Sequence, residues 1–178
     1  WSSDVCSSDL LRASDLGMSG ENNEWKPVIQ DKLSQQLLVP NGTMGQRWEE
    51  GKKWNLKLET EDGTPIDPML SMVESDYHVE TIQFPYFDSS GDGIFERPIA
   101  TRTIQLANGE EVKIATVYDL MTSQYGVQRF EHELEATSYD DASSKYTPAW
   151  QEQITGIKKE LVTKVAKEFA QNAIDTGG

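Results

Sequence analysis

The sequence predicts a mixed α/β protein, and three features of the chain support that prediction. Two runs rich in β-branched residues flank Asn108-Gly109, and the last thirty residues carry apolar side chains at helical spacing. The N-terminal part is rich in Gly and Pro, which favour loops. Alternation with a period of two is typical of strands, whereas a period near 3.6 is typical of helices. We therefore expect a β-hairpin at about 101–117 and an amphipathic helix at about 158–173.

The first ten residues, WSSDVCSSDL, are expected to lie outside the fold. They show no apolar periodicity and contain Cys6, the only cysteine of the chain. Read back into codons, the string resembles a short-read sequencing adapter translated in frame. We therefore interpret residues 1–10 as an adapter artefact, which is excluded from fold reasoning. A disordered natural N-terminus is the alternative, and it is equally uninformative. In both cases Cys6 has no role.

Composition limits the classes of partner and site. The 178 residues suit one domain of ordinary size. The net charge of −14 argues against a nucleic-acid partner, because phosphate binding needs clustered Lys and Arg. No apolar run is long enough to span a bilayer. Only two histidines are present, His78 and His132, and we interpret both as exposed surface residues rather than metal ligands.

The N-terminal half is predicted to be mostly loops around a short strand. In residues 11–50 we expect Trp25 and Trp48 to anchor loops by packing. WNLKLE, Trp54 to Glu59, alternates between apolar and polar residues and predicts a strand. Asp62-Gly63 then predicts a turn.

The stretch FDSSGDGIFE, Phe87 to Glu96, partly matches a calcium-binding loop. The matching residues of an EF-hand pattern are Asp88, Ser90, Asp92 and Gly93. The twelfth position, where a bidentate Glu is required, is Ile99, and Pro98 precedes it. No helical pattern leads into the stretch. We therefore expect a plain Asp/Gly loop rather than a calcium site.

The run TRTIQLANGEEVKIATV, Thr101 to Val117, predicts a β-hairpin. Its turn at Asn108-Gly109 is expected to be type I′, with both residues at positive φ. On each strand the apolar residues occupy alternate positions, which places them on one face of the hairpin. We expect that face to pack against another part of the protein. The apolar residues are Ile104, Leu106, Val112 and Ile114.

Three helices are predicted in the C-terminal part, on either side of a polar loop at 131–145. VYDLMTSQYG predicts a short helix that ends at Gly126. Thr147 is expected to cap a second helix with Pro148 at its first position, closed by Gly156. The apolar stripe of the third helix, which indicates a core contact, comprises Leu161, Val162, Val165, Ala166, Phe169, Ala170 and Ala173.

No nucleophile–base pair, phosphate-binding loop or metal-ligand cluster is readable, and a resemblance takes the interpretation further. YTPAWQEQITGIKKELVTKVAKEFAQNA, Tyr146 to Ala173, resembles an element of the molybdopterin oxidoreductases. Further motifs occur in the order found in respiratory nitrate reductase alpha subunits: LRASDL, ENNEWKPV, VPNGTMGQRWEEGKKWNL, FPYF, LANGEEVKIATVYDLMTSQYGV and SYDDASSKYTPAW. The resemblance covers residues 11–178.

The resemblance implies a parent enzyme that reduces nitrate to nitrite by oxygen-atom transfer. In that family molybdenum is held by two molybdopterin guanine dinucleotides and an Asp side chain. One [4Fe–4S] cluster receives electrons from an iron–sulfur beta subunit, and the beta subunit receives them from a haem-containing membrane gamma subunit. The alpha subunit is thereby attached to the membrane, on its cytoplasmic face.

The resemblance also implies that residues 11–178 are an internal fragment, a partial domain of a large multidomain chain. The cluster ligands and the molybdenum Asp of the family have no counterpart here, so no catalytic, cofactor-binding or metal-binding residue is assigned. Asp119, Asp140 and Asp141 lie in family-like motifs and are interpreted as caps and turn residues.

Two stretches depart from the family pattern and leave alternatives open. Lys158-Lys159 stands where the family has a Ser or Thr that opens the last helix, and residues 128–137, QRFEHELEAT, also differ. The nearest alternative is the alpha subunit of a nitrite oxidoreductase, or another member of the same branch. A stand-alone acidic binding module is a distant one. The fragment alone is expected to be inactive and to bind no molybdenum cofactor.

Overall fold

The computed structural model describes residues 10–41, 57–88 and 91–176. Its strands and helices are β1 (Ile29–Gln30), β2 (Leu37–Leu38), β3 (His78–Asp88), β4 (Gly91–Gln105), β5 (Glu111–Ile114), α1 (Val117–Gln124), α2 (Pro148–Thr155) and α3 (Lys159–Thr176). Two short 3₁₀ helices lie at Ala13–Leu16 and Met72–Glu74. The predictions for Cys6, Trp48 and residues 54–56 of the WNLKLE strand fall outside these ranges. The mixed α/β class is confirmed.

The chain divides into two compact units. The first combines the described residues up to His78 with Thr101–Thr116, and the second combines Val79–Ala100 with the described residues from Val117. β1 and β2 pair antiparallel, while β3, β4 and β5 form a three-stranded sheet in that order.

The first unit is held by a small core and by one carboxylate. Its buried apolar side chains are Ala13, Ile66, Met69 and Met72. The Asp31 carboxylate accepts the N–H and the hydroxyl of Ser34, each at 2.7 Å, and the N–H of Asp67 at 2.8 Å. The hydrogen bond from the Ser34 hydroxyl contributes most to lowering the pKa of Asp31. This carboxylate therefore joins two loops that are also linked by the backbone hydrogen bond from Lys32 N–H to Asp67 O at 2.7 Å.

The predicted hairpin is confirmed, but its turn is not type I′. β4 and β5 pair antiparallel from Arg102 opposite Ile114 to Gln105 opposite Glu111. Leu106 N–H donates to Glu110 O at 2.8 Å, which encloses a three-residue loop. In that loop only Gly109 has positive φ, at 87°. A three-residue loop with one left-handed glycine is the next most common hairpin after the two-residue types.

One local and one long-range hydrogen bond stabilise the three-residue loop. The Asn108 side-chain oxygen accepts Glu110 N–H at 2.9 Å, as Asn commonly does in turns. Ala107 N–H donates to Asp15 O at 2.8 Å. The predicted apolar face is confirmed, because its four residues are half-buried while Thr103, Gln105, Glu111 and Lys113 are exposed.

The sequence predictions for three other segments have mixed outcomes. The Asp62-Gly63 turn is confirmed, with Thr60 N–H bonded to Thr64 O at 2.8 Å. The plain loop predicted at Phe87–Glu96 is wrong, because β3 runs to Asp88 and β4 begins at Gly91. Strands therefore flank this stretch on both described sides, and an EF-hand, which needs flanking helices, is excluded. The packing role predicted for Trp25 is also wrong. The residue ends an exposed turn and remains 60% exposed.

The helix boundaries of the second unit follow the predicted signals. Gly126 stands just after α1 with φ 69°. Thr147 Oγ1 accepts Trp150 N–H at 3.1 Å, Pro148 opens α2, and Gly156 closes it with φ 72°. α3 continues to Thr176, three residues beyond the predicted end.

Aromatic rings and a short apolar core organise the second unit. Pro98, Ile99 and Ala100 of β4 are buried, together with Phe84 and Ala149. Tyr146 stands at the centre of the ring cluster, with centroids 5.9 Å from Phe95, 5.6 Å from Tyr125 and 5.4 Å from Trp150. Along the described ranges, no helix has both the length and the apolar character needed to cross a membrane.

Candidate functional site

A buried ion pair links α1 to the loop that follows it. Asp119, in the first turn of α1, is 1% exposed, and its carboxylate contacts the Arg129 guanidinium. Arg129 Nη1 also donates to Thr122 Oγ1 at 3.2 Å, and the guanidinium lies 5.4 Å from the Tyr118 ring centroid. Asp119 was predicted to be a cap or turn residue. Its carboxylate instead has a tertiary partner ten residues away.

The loop after α1 is wrapped around a second buried carboxylate, that of Glu135. Its two oxygens accept the backbone N–H groups of Arg129 at 2.9 Å, Phe130 at 3.1 Å and His132 at 3.0 Å. Glu135 is 7% exposed. Backbone donors that no helix or strand could satisfy are therefore satisfied by one side chain, as buried polar groups require.

β4 approaches the same loop through Arg97 and Pro98. Ser123 Oγ donates to Pro98 O at 2.7 Å, and Arg97 Cζ lies 4.8 Å from the Phe95 ring centroid. Burial lowers the pKa of Arg97. A Cβ on Gly126 would meet Arg97 Nε at 3.3 Å, so close approach and positive φ both favour glycine there.

The buried charged groups of this region are engaged in structural contacts. The Asp119 carboxylate contacts the Arg129 guanidinium, and the Glu135 carboxylate accepts backbone N–H groups. Within the described ranges, no three His, Cys, Asp or Glu residues are grouped so that they could hold a metal ion. The predicted histidine exposure holds for His78, whereas His132 is half-buried and its Nδ1 accepts Leu134 N–H at 3.2 Å.

Asp141 organises the loop before α2, as predicted for a turn residue. Its carboxylate accepts both the N–H and the hydroxyl of Ser143 and of Ser144. Its backbone oxygen accepts the Thr147 hydroxyl at 2.7 Å, which ties the turn to the α2 cap. The hydrogen bonds from the two serine hydroxyls contribute most to lowering the pKa of Asp141, to about 2.

We expect Asp141→Asn to lower Tm, and the difference from the wild type to depend on pH. Because the folded-state pKa is depressed, the contribution of this carboxylate is fully present above its unfolded value of 3.8. It is lost as pH falls from 3.8 through about 2. Thermal unfolding followed at pH 2 to 7 should therefore show a constant gap above pH 5 that closes in acid. A gap of equal size at pH 2 would contradict this assignment.

The start of α3 shows how the chain tolerates Lys158-Lys159. Glu152, on α2, accepts Lys159 N–H at 3.0 Å and pairs with Lys158 Nζ at 2.6 Å. Its carboxylate therefore supplies the acceptor and the negative charge that an N-cap normally provides. The Lys158 hydrogen bond contributes most to lowering the pKa of Glu152. Lys159 Nζ lies 2.7 Å from Asp140, so Asp140 is an ion-pair partner as well as a turn residue.

An open depression of about 490 Å³ runs beside α3. Its lining residues are Tyr139, Asp140, Lys159, Glu160, Thr163, Lys164, Lys167 and Glu168. Three lysines face three carboxylates there, so the depression has no excess of either charge with which to attract an anion such as nitrate.

The described part of this chain is thus a mixed α/β segment in which buried charges contact loops. The chain is similar in sequence to known nitrate reductase alpha chains. It is 47% identical over 95% of its length to the nitrate reductase alpha chain of Bacillus subtilis, and 38% identical over 95% to the respiratory nitrate reductase 1 alpha chain of Escherichia coli. It is 37% identical over 95% to the nitrate reductase alpha subunit of Mycobacterium tuberculosis. No family model matches the chain.

The match covers nearly all of this chain but a small part of each relative. The chain spans about 14% of the length of these three proteins. Its sequence is homologous to a segment of nitrate reductase alpha chains, which confirms the family resemblance read from its motifs.

Proposed function

We propose that this chain is a segment of the catalytic alpha subunit of a respiratory nitrate reductase. The observation that carries the proposal is the 47% identity to a nitrate reductase alpha chain over 95% of this chain. The whole enzyme would reduce nitrate to nitrite by oxygen-atom transfer, with electrons arriving through an iron–sulfur beta subunit and a haem-containing gamma subunit. The alpha subunit would lie on the cytoplasmic face of the membrane.

The described residues do not fit a molybdenum centre. They offer no thiolate, no grouped His and carboxylate ligands, and no unengaged buried carboxylate beside a cavity. We therefore assign the bis(molybdopterin guanine dinucleotide) and the [4Fe–4S] cluster to parts of the parent outside this segment. The role of the segment is scaffolding. The Asp119–Arg129 pair and the Glu135 loop hold α1 and its following loop, and α2 caps α3.

A chimera tests the proposal. The segment of the Bacillus subtilis alpha chain that matches this chain would be replaced by the corresponding residues of this chain. The resulting chimeric alpha chain would be expressed with its partner subunits in a host that makes the molybdenum cofactor. With reduced viologen and nitrate, we expect the chimera to form nitrite, whereas isolated residues 11–178 should form none and bind no molybdenum. A matched control chimera carries Lys164→Leu, which removes an exposed pair and should leave turnover unchanged.

Three outcomes would contradict the proposal. A chimera that contains molybdenum but forms no nitrite would show that the segment does not serve this enzyme. Faster nitrite oxidation than nitrate reduction would favour the nitrite oxidoreductase alternative. Turnover by the isolated residues 11–178 above a heat-killed sample, with stoichiometric metal, would contradict the placement of the site outside the segment.

A further inference from the structure

α3 carries an apolar face that nothing in the described chain covers. Leu161, Val165 and Phe169 follow one another at intervals of four residues and therefore lie along one side of the helix. They are 55%, 56% and 79% exposed. No residue of α3 is buried. The sequence predicted a core contact for this stripe, and that contact is not made by the described residues.

We propose that this α3 face, defined by Leu161, Val165 and Phe169, is covered by a part of the same alpha polypeptide that lies outside this chain. The inference rests on the proposed function. The chain spans only about 14% of the length of the relatives it matches, so most of such a polypeptide is available as the occupant. The occupant must present apolar surface, because the α3 face offers Leu, Val and Phe side chains and no charge.

The size of the face argues against a second copy of this chain as the occupant. The 18 residues of α3 extend about 27 Å, and a helix is about 10 Å wide. Two such faces in contact would bury roughly 500 Å² in total, whereas stable interfaces bury at least about 1,200 Å². A contact of this size cannot offset the loss of translational and rotational freedom on association.

A contact within one polypeptide avoids this loss of translational and rotational freedom. A segment of the same polypeptide is already held near α3, so the contact forms as an intramolecular event at high effective concentration. The polar side of α3 supports the assignment, because Glu160, Thr163 and Lys167 line the open depression on the side of the helix opposite that face. The helix thus has one side suited to water and one suited to a protein interior.

Cysteine labelling tests the covering directly. Phe169→Cys would be made in a Cys6→Ser background of the isolated chain and in the chimera described above, and maleimide incorporation at that peptide followed by mass spectrometry. We expect labelling at least ten times slower in the chimera than in the isolated chain. Lys167→Cys, on the polar side of α3, is the matched control and should label at similar rates in both. Equal rates for Phe169→Cys would overturn the inference.

A measurement without substitution guards against misfolding of the variant. Hydroxyl-radical footprinting of Phe169 in the unmodified chimera should show the same protection, and its absence would overturn the inference. Protection in the isolated chain that grows with concentration would assign the face to a second copy. Protection that requires the partner subunits would assign it to them. Nitrite formation is scored separately, so an inactive chimera with a protected Phe169 would refute the proposed function and retain the covering of α3.

Discussion

Replacing Arg129 with leucine should destabilise the second unit by about 3–5 kcal/mol, because it would leave the Asp119 carboxylate buried without its counter-charge. Asp119 is 1% exposed, and the Arg129 side chain is 15% exposed. The loss should lower Tm by roughly 6–20 °C in a chain of this size. The measurement is thermal unfolding followed by circular dichroism at 222 nm. This signal reports mainly on α1, α2 and α3, all of which belong to the second unit.

Two further variants distinguish the effect of the unpaired buried carboxylate from a nonspecific loss of stability. Asp119→Asn combined with Arg129→Leu removes the stranded carboxylate as well, so it should recover part of the loss, and the double-mutant cycle gives the coupling. Lys164→Leu removes one partner of an exposed pair at 3.7 Å and should change stability little. If Arg129→Leu is no more destabilising than Lys164→Leu, the pair does not hold the loop.

The sequence predicted structural elements correctly where the residues that determine them are close together in the chain. Thr147 with Pro148, Gly126 and Gly156 marked helix ends because caps and left-handed glycines act within one turn. The hairpin followed from two β-rich runs of matched parity around Asn108-Gly109. Its turn type did not, because one of the hydrogen bonds of the three-residue loop, from Ala107 to Asp15, joins residues remote in sequence.

The buried polar network could not be predicted in the same way. Arg129 and Glu135 lie in QRFEHELEAT, a stretch recognised only as a departure from the family pattern. No periodicity links Arg129 to Asp119, and nothing in the sequence distinguishes Glu135, which is buried, from Glu131 and Glu133 of the same loop, which are exposed. The signal that could have been used is composition, since a loop without secondary structure must satisfy its N–H groups with side-chain acceptors.

The start of α3 illustrates compensation between positions. Lys158-Lys159 places positive charge at the end of a helix where negative charge is favoured, a local conflict visible in the sequence. Glu152 resolves it from the preceding helix by accepting Lys159 N–H. A residue that violates a local preference therefore suggests that an acceptor from another part of the chain compensates for it.

The Glu135 carboxylate provides the second large effect. Glu135→Ala should destabilise the second unit by about 3 kcal/mol, because the N–H groups of Arg129, Phe130 and His132 would lose their acceptor in a partly buried loop. Glu135→Gln keeps one acceptor oxygen but turns an amide NH₂ toward backbone donors, so we expect an intermediate loss of about 1–3 kcal/mol. Urea unfolding followed by circular dichroism measures both values.

Glu133→Gln is the matched control, because Glu133 is an exposed residue of the same loop and should stay within about 0.5 kcal/mol of the wild type. Hydrogen exchange adds a local readout. The amides of Arg129, Phe130 and His132 should exchange faster in Glu135→Ala, while those of α3, with its own helical hydrogen bonds, should change little below global unfolding. Unchanged exchange at these three amides would show that they are satisfied without the carboxylate.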